Sequence, residues 1–192
     1  EKAKKEKAKK EKAKKEKAEI HWGDETGVQN SSFNAKGFAP QGQPPIIRLS
    51  AKKCRVNMMS SITNIGKVRF MLYRENMTSA VLIRFMSRLI KDVSQKVLLV
   101  LDNLRVHHSK LVAAWLAEHK KQIEVFFLPP YSPEHNPDEY LNGDLKNHIR
   151  SGLPSRTESD LSKKTRSFMK MLQKRPNRVS NYFKHPLIAY AG

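Results

Sequence analysis

Cysteine is nearly missing from this chain: Cys54 stands alone among 192 residues. Neither an intrachain disulfide framework nor a cysteine-built zinc site is open to it, and a reducing, cytosolic setting fits. Long hydrophobic runs are also wanting. The longest purely apolar stretches, such as Val97 to Leu101, fall far short of the ~20 residues that a membrane span needs. The basic N-terminus has no apolar stretch behind it, which argues against a secretory signal. No Gly-rich phosphate cradle and no Ser/His/Asp arrangement is present, so a nucleotide hydrolase has little support. His21, His119, His135, His148 and His185 show no metal-ligand spacing.

Acidic residues are scarce as well. Lys and Arg number 37 against 18 Asp and Glu, for a formal net charge of +19. A surplus of that size favours polyanions such as nucleic acid over acidic partners of modest charge. The bland alternative is a solubilising surface. Residues 1–18 hold ten Lys and four Glu, so most of the surplus belongs to the rest of the chain.

That first segment is a tandem Glu-Lys-Ala-Lys-Lys repeat. Its alanines recur every five residues, which matches neither the helical nor the strand period, so no apolar stripe is expected. Glu1–Lys5, Glu6–Lys10 and Glu11–Lys15 are favourable helical pairs. Residues 1–18 are therefore expected to form a solvated, partly helical tail acting as a linker, ahead of one domain over residues 19–192.

From Glu19 the pattern changes. Ile20 to Asp24 reads as a short strand, followed by a Gly, Asn and Ser-rich loop through Asn34. Residues 39–45 are rich in Pro, Gly and Gln and are expected to be irregular. Val56 to Thr63 and Lys67 to Tyr73 look like strands joined by a hairpin turn at Asn64-Ile65-Gly66. Thr78 can cap a helix with Leu82, Phe85, Met86, Leu89 and Val93 on one face. Lys96 to Leu101 and Ile123 to Leu128 read as buried strands, with a helix over residues 109–120 between them. Asn136-Pro137 suits a helix start. Thr157 and Asp160 can open a further helix that Pro176 limits, and a short helical piece is expected to follow to Phe183. The order predicts a mixed α/β sheet, antiparallel at the front and parallel later.

Three carboxylates occupy suggestive places in that order. Asp24 is expected at the end of the first strand, Asp102 at the end of the buried central strand, and Glu139 in the first turn of the following helix. Ligand sites of open α/β sheets lie beyond the carboxyl ends of strands. Parallel neighbours would bring Asp24 and Asp102 to about 5 Å at backbone level. Clustered carboxylates repel one another, so such a group calls for hard divalent metal. Each has a plainer reading: Asp102-Asn103 as a strand-to-helix turn, Asp24 as a loop cap, Glu139 as a capping-box residue three after Asn136. Glu25 should alternate to the other face of the strand. Asp138 and Asp144 compete with Glu139 for the third position on spacing alone. His107 and His108 lie close enough in sequence to Asp102 to approach phosphate or the metal's surroundings, and Arg105, Lys146 and Arg150 are candidate phosphate contacts.

The stretches His21-Trp22-Gly23-Asp24-Glu25-Thr26-Gly27, Leu99-Val100-Leu101-Asp102-Asn103 and Leu128-Pro129-Pro130-Tyr131-Ser132-Pro133-Glu134-His135-Asn136-Pro137-Asp138-Glu139 carry a resemblance. Together with Gly37 to Gln43 and Leu145-Lys146, they resemble the catalytic motifs of insertion-sequence transposases, the bacterial branch of the Tc/mariner-like superfamily of DDE endonucleases. The resemblance covers roughly residues 19–190. It implies an RNase H-like fold and cut-and-paste transposition with two Mg2+ ions, Mn2+ serving as a substitute. Residue by residue it makes Asp24, Asp102 and Glu139 the catalytic, metal-holding triad, with 36 residues between the last two, and it decides for Glu139 over Asp138. Asn103 and His107 become supporting candidates around the metal, and Arg105 and Lys146 candidates for DNA contact. The partners implied are double-stranded DNA, as transposon ends and target, and a second copy of the chain in a homodimer. The implied setting is the bacterial cytoplasm, at the nucleoid. The sequence departs from the family pattern at Gln41, where Arg is common, at Asp138, usually apolar, and at Asn142, where many relatives carry Trp. Relatives also carry an N-terminal helix-turn-helix region, so the chain is expected to be a catalytic domain severed from DNA recognition. Two rivals remain: an inert remnant that binds DNA non-specifically, and a general nuclease or resolvase on the same fold.

Overall fold

The computed structural model of the chain describes residues 10–30, 40–42, 53–129, 133–151, 154–188, 190 and 191. The loop from 31 to 34, most of the stretch 37–45, and Pro130-Tyr131-Ser132 of the third motif lie outside the described residues. Five strands form one sheet: β1 (Glu19–Gln29), β2 (Arg55–Ile62), β3 (Val68–Tyr73), β4 (Val97–Leu101) and β5 (Ile123–Phe127), in the order β3-β2-β1-β4-β5. β1, β2 and β3 are antiparallel neighbours, while β1, β4 and β5 run parallel. This is the mixed sheet that the sequence predicts, flanked by helices in the RNase H-like manner.

The helices divide between the two faces because alternate strand residues point to opposite sides. On one face α2 (Ser79–Asp92) and α3 (Lys110–Glu118) cover Met59, Met71, Leu99 and Leu101. On the other, α4 (Pro137–Ser151), α5 (Glu158–Gln173) and α6 (Pro176–Tyr182) cover Trp22, Met58, Ile62 and Val100. β4, Val97-Leu98-Leu99-Val100-Leu101, is buried on both faces, which is why it reads as an unbroken apolar run. Among the described residues no helix is long and apolar enough to cross a membrane.

Helix starts follow local chemistry. The hydroxyls of Thr78, Ser109 and Thr157 accept the amides of Val81, Val112 and Asp160. Thr157→Ala should therefore cost about 1 kcal/mol of stability, readable as a small drop in the urea midpoint. Unchanged stability would remove the cap from the account of α5.

The described part of the repeat, from residue 10, differs from the expected solvated tail. Residues 10–16 are helical (α1), Ala13 is buried, and the Lys12 ammonium meets the Glu124 carboxylate at 2.6 Å. Lys96 links Glu16 (2.6 Å) with Glu124 (3.3 Å). One alanine and the ionic ends of long side chains dock α1 beside β5, a mode that needs no apolar stripe.

Candidate active site

β1 runs five residues further than the apolar reading, which ends it at Asp24. Asp24 is therefore mid-strand, paired across to Ser60 of β2. The parallel ladder between β1 and β4 stops at Trp22 opposite Val100. Two residues beyond, the same register sets Asp24 opposite Asp102, where β4 has ended. The two aspartates thus meet at the carboxyl end of β4, and β1 continues past it on its pairing with β2. Expectation and structure agree that Asp24 and Asp102 are neighbours across parallel strands and differ over where β1 stops.

α4 brings the third group. The Asn136 side chain accepts the Asp138 amide at 3.1 Å, capping the helix, and its own amide donates to the Gly23 carbonyl at 3.1 Å. That second bond ties the first turn of α4 to β1 beside Asp24. Glu139 is half-buried in this turn. Burial, then the negative charges of Glu139, Asp138 and Asp102, hold the Asp24 carboxyl well above its ordinary range. The three carboxylates thus share one electrostatic neighbourhood, and protons or cations are favoured there.

The buried polar residues beneath the site form pairs. Asn142 donates its amide to Asp24 Oδ2 at 2.8 Å, with both side chains buried. Ser60 donates its hydroxyl to Asp138 Oδ2 at 2.6 Å, and Asp138 is fully buried. Burial and the neighbouring Glu139 charge push the Asp138 carboxyl up to about 8 despite the Ser60 bond. Asp138 Oδ1 and Asn142 Oδ1 are buried without a hydrogen-bond partner among the described residues. Asp138 and Asn142, which depart from the family pattern as single letters, sit one helical turn apart on the buried face of α4.

On the opposite side of the strand ends stands His107, in a 3-10 turn over Arg105–His108. Its Nδ1 lies 3.2 Å from Asp102 Oδ1 and 3.1 Å from the Asp102 carbonyl, while Nε2 is 3.8 Å from Glu25 Oε2. Burial opposes charge on this ring, but the bonds to Asp102 and the nearby Glu25 carboxylate prevail and push it up to about 9. The imidazolium steers the half-exposed Asp102 carboxylate. Glu25 does point to the other face, as the alternation predicts, yet through His107 it belongs to the site's surroundings. Sequence reading offers no signal for that, because the link depends on the ring of a residue 82 positions away.

Asn103 is exposed and its side-chain oxygen bonds His108 Nε2 at 2.5 Å. His108 in turn packs on Phe127, with centroids 4.2 Å apart. Arg105 is exposed on the same turn, and Lys146 is half-buried on α4, two helical turns after Glu139 and so on its face. Asp144 is bound elsewhere, paired with Arg178 at 2.8 Å and bonded by the Tyr182 hydroxyl. It is therefore no competitor for the third position. Among the described residues no three His, Cys, Asp or Glu side chains are arranged to hold one ion by themselves. Magnesium does not require that, since it usually keeps several waters and takes one or two carboxylates together with substrate phosphate.

A family model described as DDE superfamily endonuclease matches residues 19–162. Among solved structures, the catalytic domain of Mos1 mariner transposase is similar over 97% of this chain and 90% of that one, at 14% identity and a TM-score of 0.61. The Mos1 strand transfer complex is similar over 91% of this chain and 55% of that one, with 16% identity and a TM-score of 0.62. The Mos1 paired end complex with Mg gives 17% identity and a TM-score of 0.64 over 91% and 56%. The chain thus spans little more than half the length of the transposase chains in those complexes. No curated protein matches it.

Proposed function

The chain belongs to the DDE superfamily endonucleases, and from that premise we propose that it is the catalytic domain of a DNA transposase, cleaving transposon ends and transferring the freed strand to target DNA. The observation that carries this reading is the convergence of three carboxylates from separate elements: Asp24 on β1, Asp102 just beyond the parallel neighbour β4, and Glu139 in the first turn of α4, which Asn136 ties to Gly23. Asp24, Asp102 and Glu139 would hold Mg2+, or Mn2+ in its place, as two ions shared between the carboxylates. Bound there, the ions would activate a water and stabilise the leaving oxygen of a phosphodiester. Solved relatives of the same fold include Mos1 paired end complexes with Mg and with Mn.

The chain's own residues position these groups. Asn142 fixes one oxygen of Asp24 and leaves the other for a ligand. His107 holds one oxygen of Asp102 from the side of α3. Asn136 anchors the start of α4 so that Glu139 faces the strand ends. Arg105 and Lys146 would meet phosphate. The reaction first hydrolyses a phosphodiester, leaving a 3′-hydroxyl. That hydroxyl then displaces an oxygen at a target phosphorus, one ester bond forming as another breaks. Double-stranded DNA would be the substrate, a homodimer the working assembly, and the cytoplasm the setting.

Titration of Mn2+ into the wild-type chain and into Asp102→Asn, followed by calorimetry and thermal melting, tests the assignment. Asp102 is half-exposed, so the variant should fold. Saturable Mn2+ binding should weaken at least tenfold in the variant, and Mn2+-dependent nicking of supercoiled DNA should fall by roughly two orders of magnitude or more. DNA binding that collapses with salt while ignoring both Mn2+ and the substitution would instead mark an inert, DNA-binding remnant.

A further inference from the structure

The outer edge of the sheet carries a second cationic feature, separate from the carboxylates. A groove of about 280 Å3 runs along β3 between α2 and α5. Arg69 of β3, Arg88 of α2, and Arg166 and Lys170 of α5 line it, with Asp92 the only acidic group among the lining residues. Arg166, Lys170 and Gln173 succeed one another by helical turns, which sets them on one face of α5. Arg88 and Asp92 stand in the same relation on α2. Arg69 Nε is buried and makes no hydrogen bond, its distance to Asp92 Oδ2 being 3.6 Å. Among the described residues Arg88, Arg166 and Lys170 have no acidic partner, although all three are exposed.

Three cations without an acidic partner, Arg88 of α2 and Arg166 and Lys170 of α5, converge beside Arg69 of β3, which Asp92 alone offsets at 3.6 Å, and an anion met there would relieve their mutual repulsion. Three of the four are arginines, whose planar forks match phosphate oxygens. We propose that this groove binds the phosphodiester backbone of duplex DNA outside the cleavage site. The proposal rests on the reading of the chain as a DNA endonuclease. β3 lies two strands from β1, about 10 Å away at backbone level, so the groove contributes affinity and register without reaching the carboxylates. Addition of a protein strand to this edge is the rival occupant. It is disfavoured because the Val68 carbonyl already accepts the Gln173 amide at 3.0 Å and the Arg69 guanidinium at 3.2 Å.

Affinity for a non-specific duplex of about 30 base pairs, measured across a salt series, tests this directly. Each phosphate contact contributes about 0.9 to the slope of log affinity against log salt. Arg88→Gln/Arg166→Gln/Lys170→Gln should therefore flatten the slope by about 2 to 3 and weaken binding at least tenfold at low salt. Lys110→Gln/Lys120→Gln/Lys121→Gln removes equal charge from exposed positions around α3 and should change the slope by less than about 1. Equal effects from both variants would reduce the groove to general surface charge and overturn the proposal, as would an unchanged slope. Failure of the wild-type chain to bind DNA at all would instead count against the endonuclease reading. Mn2+ binding at the carboxylates should be the same in all three proteins.

Discussion

Raising the pH from about 5 to 8 should destabilise the metal-free chain by several kcal/mol, and Asp138→Asn should remove much of that loss. Asp138 is fully buried and its carboxyl is pushed up to about 8, against an ordinary value near 4. A folded-state value above the unfolded one means that the fold favours the protonated acid. The associated stability is complete below the unfolded value, and it is lost as pH rises through the folded value at roughly 1.4 kcal/mol per pH unit. Asp24 is raised in the same direction and adds to the slope. His107, raised to about 9, loses its contribution between its ordinary value near 6.5 and 9, so it steepens the alkaline limb. Glu19 acts oppositely. Although burial disfavours its charge, His21 and Lys67 hold it down to about 2, so its contribution fades as pH falls from 4.5 towards 2. His21, whose burial holds its ring below the ordinary range, likewise loses its contribution as pH falls below about 6.5, so stability declines on both the acidic and the alkaline side. Asn at position 138 can still accept the Ser60 hydroxyl but carries no charge. Saturating Mn2+ should stabilise the wild type more at pH 8 than at pH 5, because the ion competes with protons for carboxylates. Melting curves for both proteins at several pH values decide the matter; parallel pH profiles would sink the assignment to Asp138.

The legible parts of the fold were those where one physical signal dominated. β4 had no polar residue to confuse it, the β2–β3 hairpin had its turn residues, and α5 had a threonine cap and a proline stop. The hydrophobic pattern ends β1 early because Glu25, Thr26, Gly27 and Gln29 look like loop to any hydrophobic measure. What extends the strand is a long-range partner, since β2 pairs with it as far as Gln29 opposite Arg55. The docking of α1 was hidden for a related reason. Its anchors are Lys96 and Glu124, both distant in sequence, and a single alanine carries no periodicity.

The site divides along the same line. Strand ends and a helix start were enough to single out Asp24, Asp102 and the acidic pair at 138 and 139. Choosing between the members of that pair was beyond spacing and came from the resemblance. In the structure the two differ sharply, Asp138 turning into the core against Ser60 and Glu139 remaining half-exposed. Asn142 owes its place to its amide bond with Asp24, a partner 118 positions away that no local pattern reveals. A polar residue at a buried helix position is ambiguous until its partner on another element is known.

Gly66→Ala should cost at least about 3 kcal/mol and lower the melting temperature by roughly 6–12 °C. Gly66 closes the β2–β3 turn, its amide bonding the Thr63 carbonyl at 2.9 Å, and its φ is +87°. A side chain in that conformation already costs about 1–2 kcal/mol. The larger difficulty is space, since an added Cβ would lie 2.2 Å from the Pro176 carbonyl oxygen and 2.6 Å from two further backbone atoms of that residue. A flexible side chain would swing aside from such a clash; the first residue of α6 does so only by moving the helix. Val179 and Phe183, buried with Trp22 and Phe168, would move with it. The neighbouring Ile65→Ala provides the comparison, because Ile65 is 62% exposed and its loss should stay within about 0.5 kcal/mol. Denaturation of the two variants side by side separates a packed turn from a merely tight one. If Gly66→Ala cost no more than about 1 kcal/mol, the turn conformation alone would account for it, and the close approach of α6 to the hairpin would be refuted.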